Sequence, residues 1–321
     1  MLPLILLALQ AAQPRINSGT VLVANQQAAS ATIVDVATQT ATTIDVGIGP
    51  HEAVISPDGK WGVVTIYGVG GSPGNKLSII DLTGKKVTRT IDLGTYTRPH
   101  GASFVAGQPN VVVVTSEATQ NVVLVDIVKG DVLGAIPTQH PGAHMLGVTA
   151  DGKRAFTANI PWGGISEVDL EKRAFLRDLK ASTATEGIAV APDGSTVWIG
   201  SRDSATVTVI DAKGWNVAAT LTGFGLPYRI GISPNGAIAV VCDPGTNKIH
   251  IVDVETRKIT GEVPVTGSPR GVKIAPDNRT LFVTLAGENA VAAIDLTEKA
   301  LLWKAPVGTA PDGVWYGPPP R

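Results

Sequence analysis

Pro269–Val307 reads PRGVKIAPDN, RTLFVTL, AGENA, VAAIDLTEK and ALLWKAPV. VKIAP alternates between apolar and other positions, and Pro276-Asp277-Asn278 is turn chemistry. LFVTL is rich in β-branched and aromatic residues, as strands are. VAAID closes on an Asp able to hold the next turn through its own backbone, and ALLWKAPV runs out again. No part has a sustained period of 3.6, so the stretch predicts four short strands and no helix.

The unit recurs along the whole chain. Asp35, Asp81, Asp126, Asp169, Asp211, Asp253 and Asp295 each close a third strand, at intervals of 46, 45, 43, 42, 42 and 42. His51, His100, His144, Glu186, Tyr228, Arg270 and Asp312 each open a first strand, at intervals of 49, 44, 42, 42, 42 and 42. Four strands at this period are the signature of a propeller blade. Two columns of seven predict an all-β, seven-bladed β-propeller. The chain enters at VLVAN (21–25), a second-strand sequence, and leaves at DGVWY (312–316), a first strand. That last strand should complete the first blade and remove the open edges. One insertion, GVGGSPGN (68–75), accounts for the wide interval of 49.

Residues 20–317 are therefore read as one domain. A hydrophobic fraction of 44% suits a buried core, and Gly 36 and Pro 22 supply seven sets of turns. A net charge of −1 provides no global field for nucleic acid or anionic membrane. The single cysteine, Cys242, excludes an internal disulfide and a thiolate metal cluster, and it reads as a small core residue. MLPLILLALQAAQP has the length and apolar character of a signal peptide over residues 1–12, and is too short to span a bilayer. It lacks a basic n-region, so either the signal is atypical or translation starts upstream. The expectation is an exported monomer, periplasmic or extracellular, without a transmembrane anchor. Residues 13–19 would form an N-terminal arm and 318–321 a Pro-rich tail.

Second strands ending VLVAN, AFTAN and LFVTL, first strands of the form P-x-G followed by S-P-D-G-K, and third strands of the form V-x-x-I-D-x-x-T carry a resemblance. Across all seven units the chain resembles the YVTN-type β-propeller repeat of the YncE-like family. The resemblance implies an exported bacterial or archaeal propeller with a binding or accessory role. One relative binds DNA, and related seven-bladed propellers include lactonases, a streptogramin-inactivating lyase and the haem d1 domain of a nitrite reductase. Fold alone does not choose among these.

Alternate connections in a four-stranded antiparallel blade emerge on one face. The PDGK, ADGK, PDGS, PNG and PDN turns then share a face with DLTGKK, DLEKRA and DVETRK. Lys60, Lys85, Lys86, Lys172, Arg173, Arg257 and Lys258 there are interleaved with acids and lack aromatics, which favours solvated turn charge over a phosphate-contacting surface. The opposite face is where the repeat stops repeating. Three of the chain's five histidines, His51, His100 and His144, open first strands on three consecutive blades. Glu52, Met145 and Arg229 follow in the adjacent column. Loops after second strands add Tyr67, Glu117, Trp162, Arg202, Asp203, Asp243 and Glu288.

Inner strands lie closest to the axis, so the three imidazoles are expected to converge at the channel mouth. Three neutral imidazoles with an open position suit a divalent metal ion, the one cofactor these residues suggest, and Glu186 could act as ligand or general base. The same histidines could instead bond channel waters, loop carbonyls or a ligand without metal. Arg98, Arg202, Arg229 and Arg270 suggest a small anionic ligand, because guanidinium forks hold carboxylate or phosphate in two directions. Pairing with Glu52, Glu117, Glu186, Asp203 and Asp312 is the alternative. Trp162 either stacks on a ligand or covers a blade edge. His250 reads as structural, and His140 as a neighbour of His144.

The first reading is a binding or accessory propeller taking a small polar or anionic ligand, or a partner protein, through Glu52, Arg98, Glu117, Trp162, Arg202, Tyr228, Arg229, Arg270 and Asp312. The second is a metal-dependent hydrolase or lyase built on His51, His100 and His144. The third, single-stranded DNA binding, is opposed by near-neutral charge and the lack of a basic aromatic groove.

Overall fold

The computed structural model describes residues 15–320. The apolar run expected to be a signal peptide lies outside the described residues, as do the first two positions of the expected arm. The rest is seven four-stranded antiparallel sheets arranged as blades. Blade one holds β1 (Thr20–Asn25), β2 (Ser30–Asp35) and β3 (Ala41–Asp45). Blade two holds β4 (Pro50–Ile55), β5 (Trp61–Val69), β6 (Ser72–Asp81) and β7 (Lys86–Asp92). Blade three holds β8 (Pro99–Val105), β9 (Gln108–Ser116), β10 (Asn121–Asp126) and β11 (Asp131–Pro137). Blade four holds β12 (Ala143–Val148), β13 (Arg154–Asn159), β14 (Gly164–Asp169) and β15 (Ala174–Lys180). Blade five holds β16 (Thr185–Val190), β17 (Thr196–Ser201), β18 (Thr206–Asp211) and β19 (Asn216–Leu221). Blade six holds β20 (Arg229–Ile232), β21 (Ile238–Asp243), β22 (Lys248–Asp253) and β23 (Lys258–Pro264). Blade seven holds β24 (Pro269–Ile274), β25 (Thr280–Leu285), β26 (Ala290–Asp295) and β27 (Ala300–Pro306). The last strand, β28 (Pro311–Gly317), pairs with β1 as the innermost strand of blade one, so the ring closes as expected.

The Asp column works as turn chemistry predicts. In each blade the Asp ending the third strand accepts backbone N–H groups two or three residues on: Asp35 from Thr38, Asp81 from Thr83 and Gly84, Asp126 from Val128 and Lys129. Asp169, Asp211, Asp253 and Asp295 do the same. The carboxylate replaces ladder bonds that the turning backbone cannot make.

The core lies between blades. Seven clusters of buried apolar side chains each join residues of two adjacent sheets, as Val54, Val63 and Ile79 of blade two do with Val112, Val114 and Val123 of blade three. Trp198, Phe156 and Phe282 are wholly buried there. Each such side chain contributes about 1.5–3 kcal/mol.

The insertion at residues 68–75 lengthens the β5–β6 hairpin, pairing Gly68 with Pro73 and Val69 with Ser72. One feature differs from the sequence expectation. Several basic residues of the turn face are not simply solvated. Arg173 donates to the Leu133 carbonyl and Arg257 to that of Ala218, each on a neighbouring blade. No helix among the described residues is long and apolar enough to cross a membrane.

Candidate functional site at the channel mouth

Innermost strands carry an irregularity just where the variable column lies. Register shifts fall between Pro50 and Ala53, Pro99 and Ala102, Ala143 and Leu146, Thr185 and Ile188, and Pro269 and Val272. Each inserts one extra residue opposite the second strand, a β-bulge that re-aims two consecutive side chains. Close approach of the bulged segments needs glycine. A Cβ on Gly271 would lie 2.1 Å from the Asp312 carbonyl oxygen, and one on Gly187 2.4 Å from that of Tyr228. Lacking a Cβ, these positions let neighbouring inner strands touch, which brings the residue before each glycine toward the axis.

The histidines converge, as a row of closely spaced, tilted rings. The centroids of His51 and His100 are 3.9 Å apart and those of His100 and His144 3.6 Å, while His51 and His144 are 6.4 Å apart. His144 is fully engaged: Nδ1 lies 2.8 Å from Glu117 Oε2 and Nε2 2.9 Å from Glu186 Oε1. Burial works against its charged form, but the two carboxylate bonds outweigh burial and raise its pKa above the ordinary histidine value. His100 is the opposite case. It is 0% exposed, neither ring nitrogen has a hydrogen-bond partner, and burial with the adjacent His144 and His51 holds its pKa well below the usual value.

Charges interlock around this row. Arg229 donates to Glu52 Oε1 at 2.8 Å and Glu186 Oε1 at 3.1 Å, with Asp312 Oδ1 at 3.9 Å. Burial alone would raise the Glu186 carboxyl, but His144, Arg229 and Arg202 reverse that and hold it far below the usual range. Arg202 reaches Glu186 Oε2 at 3.2 Å, and Arg270 reaches Asp312 Oδ2 at 3.6 Å and Gln26 at 3.4 Å. The Tyr228 hydroxyl is 3.5 Å from Asp312, and burial followed by that charge pushes its pKa up. Tyr67 donates to Glu117 at 3.0 Å and lies edge-on to His51 and His100. The result is a polar plate across one end of the channel. Beneath it is a cavity of about 110 Å³ whose walls mix the polar Glu52 and Arg229 with the apolar Val54, Leu146, Ile188 and Val314.

Beside the plate, a cavity of about 480 Å³ is lined by Gln26, Gln27, Ile48, Tyr67, Val69 and Arg98, among others. Arg98 stacks over Tyr67, with Cζ 4.8 Å from the ring centre. It makes no ion pair among the described residues.

Of the residues singled out from sequence, the structure joins His51, Glu52, His100, Glu117, His144, Glu186, Arg202, Tyr228, Arg229, Arg270 and Asp312 into this plate, with Arg98 at its edge. Trp162 is not among them. It lies flat on His140, with centroids 3.6 Å apart, and His140 bonds Asp178 on the outermost strand of blade four. Glu288 is likewise turned outward to Lys304, and Asp243 is occupied by His250 and the Gly225 and Leu226 amides. Position in the repeat explains this. The residue directly after the second strand is Gln26, Glu117, Ile160, Arg202, Pro244 or Ala286 in six blades, with Tyr67 at the matching position inside the lengthened β5, so Trp162 and Glu288 stand two places too far along. Gln26 was missed by sequence reasoning, although that same column contains it.

A family model described as a YNCE-like beta-propeller matches residues 176–318, which span the last three blades and the closing strand. No curated protein matches the sequence significantly. Among solved structures, Kuenenia stuttgartiensis hydrazine synthase is similar, with a TM-score of 0.76 at 19% identity over 87% of this chain and 93% of that chain. Identity that low speaks for the fold alone. The chain is thus a seven-bladed β-propeller whose residues 176–318 are similar to the YncE-like β-propellers.

Proposed function

We propose that this propeller is a binding protein, exported and monomeric, that takes a small anionic molecule in the cavity beside the channel mouth. One observation carries the reading. Arg202, Arg229 and Arg270 are all paired with carboxylates, whereas Arg98 faces a cavity of about 480 Å³ with no acidic partner among the described residues. A guanidinium in that position holds a carboxylate or phosphate, and the amides of Gln26 and Gln27 add neutral donors. The stack on Tyr67 fixes the plane of the guanidinium, and the Arg98 backbone N–H is held by the Gly74 carbonyl at 2.7 Å.

Calorimetric titration with succinate and with inorganic phosphate tests the reading. At least one is expected to bind, and Arg98→Gln is expected to weaken it by roughly 10–100-fold, the value of one charge-assisted bond. Arg257→Gln, on the opposite face, should leave affinity unchanged. Absence of binding by both anions, or equal affinity in Arg98→Gln, overturns the proposal.

A further inference from the structure

We infer that His51, Glu52 and His100 form a site for one first-row divalent transition-metal ion, with His144 outside its coordination sphere. The site is separate from the anion cavity and does not depend on it. A nitrogen of His51, a nitrogen of His100 and a carboxylate oxygen of Glu52 all lie within 4.8 Å of one another, and all three residues are buried. An ion about 2.0–2.1 Å from each donor would draw them to roughly 3.4 Å apart, a closure within reach of side-chain rotation.

The open valences point to the two histidines of this set. His51 Nδ1 and both nitrogens of His100 are buried without hydrogen-bond partners, and His100 alone among the plate residues has every side-chain polar atom open. Buried polar groups are seldom left open unless something else satisfies them. A second set, His100, Glu117 and His144, has similar spacing. There both His144 nitrogens are already bonded, at 2.8 and 2.9 Å, so that set has no free imidazole besides His100. The convergence of three histidines expected from sequence therefore resolves into two histidines and a glutamate, with the third histidine locked between carboxylates.

Two imidazoles and one carboxylate suit zinc, cobalt, nickel, iron or manganese better than magnesium or calcium, which favour all-oxygen sites. Arg229 donates to Glu52 Oε1 and holds the carboxylate in place, as outer groups orient metal-binding carboxylates. Its charge is offset by Glu186 and Asp312. Three protein donors leave room for water or another small ligand on the ion.

Full-length protein stripped with chelator and titrated with cobalt(II), read by visible absorption and then by zinc displacement, decides the matter. One equivalent per chain is expected. His51→Ala, His100→Ala and Glu52→Gln should each weaken it at least 100-fold, while His144→Gln and Glu117→Gln should retain one equivalent. Zinc should raise the melting temperature of the wild type and not that of His100→Ala, which separates loss of the site from loss of the fold. No metal uptake by the wild type, two equivalents, or uptake abolished by His144→Gln but preserved in Glu52→Gln would overturn the assignment. Retained succinate or phosphate binding in a metal-free protein would leave the anion reading standing by itself.

Discussion

Arg229 is 3% exposed and joins Glu52, Glu186 and Asp312 across the axis. Removing a single partner from a buried ion network leaves uncompensated charge, so Arg229→Met should lower stability by about 3–5 kcal/mol in urea unfolding at neutral pH. Adding Glu186→Gln should recover part of that loss. Lys273 is a contrasting case further down the channel. Its Nζ lies 3.6 Å from the centre of the Trp315 ring, and burial lowers its pKa from 10.5 to about 8. The fold disfavours the ammonium, so the cost is present below pH 8 and fades as pH rises toward 10.5. Lys273→Met should thus be more stable than wild type at pH 7, with the gap in urea midpoints narrowing from pH 8 to 10.5. Residue types at the mouth were legible in the sequence, but their pairings were not. His100 and His144 occupy equivalent repeat positions, and their different states come from Glu117 and Glu186, which only ring geometry brings to His144.

At the scale of strands and turns, the period was readable because each blade repeats the same local chemistry: an alternating strand, a turn, and an Asp that caps the next turn. The bulges were not readable, since they arise where adjacent inner strands meet, and the glycine after His100, Glu186, Arg270 and Asp312 marks a close approach without showing a register shift. The Asp295 turn has extra partners. Burial would raise its carboxyl, but Arg279, the Glu298 and Thr297 amides and Arg15 lower the pKa from 3.8 to about 2. A depressed carboxyl stabilises the fold above the ordinary value and ceases to do so as pH falls through the lowered one. Acid unfolding of the wild type should accordingly be steeper between about pH 4 and 2 than that of Asp295→Asn, measured by circular dichroism. The extended β5–β6 hairpin carries a different expectation. Its Val69 and Gly70 wall the anion cavity, and the Gly74 carbonyl holds Arg98. Replacing residues 69–72 with a tight Asn-Gly turn should weaken succinate or phosphate binding several-fold while the melting temperature stays within a few degrees.

For the molecule as a whole, the blade count and the closing strand were both legible, because seven-fold columns and a first strand left over at the end admit one ring. Closure carries a stability consequence. Deleting residues 311–321 removes β28, Asp312 and the partner of β1, leaving an unpaired edge on blade one. The truncated chain should elute as aggregate in size-exclusion chromatography and lose its cooperative thermal transition. There is a temporal consequence too. Val21 pairs with Tyr316, so the two halves of blade one emerge from the ribosome at opposite ends of synthesis. At about 5–20 residues per second, roughly 15–60 s separate them. During that interval the nascent chain can stack later blades on one another, yet its first finished hairpins wait with a bare edge. The protein therefore acquires its native shape only after translation of the ring is complete, and any factor that shields unfinished sheets would act in that window.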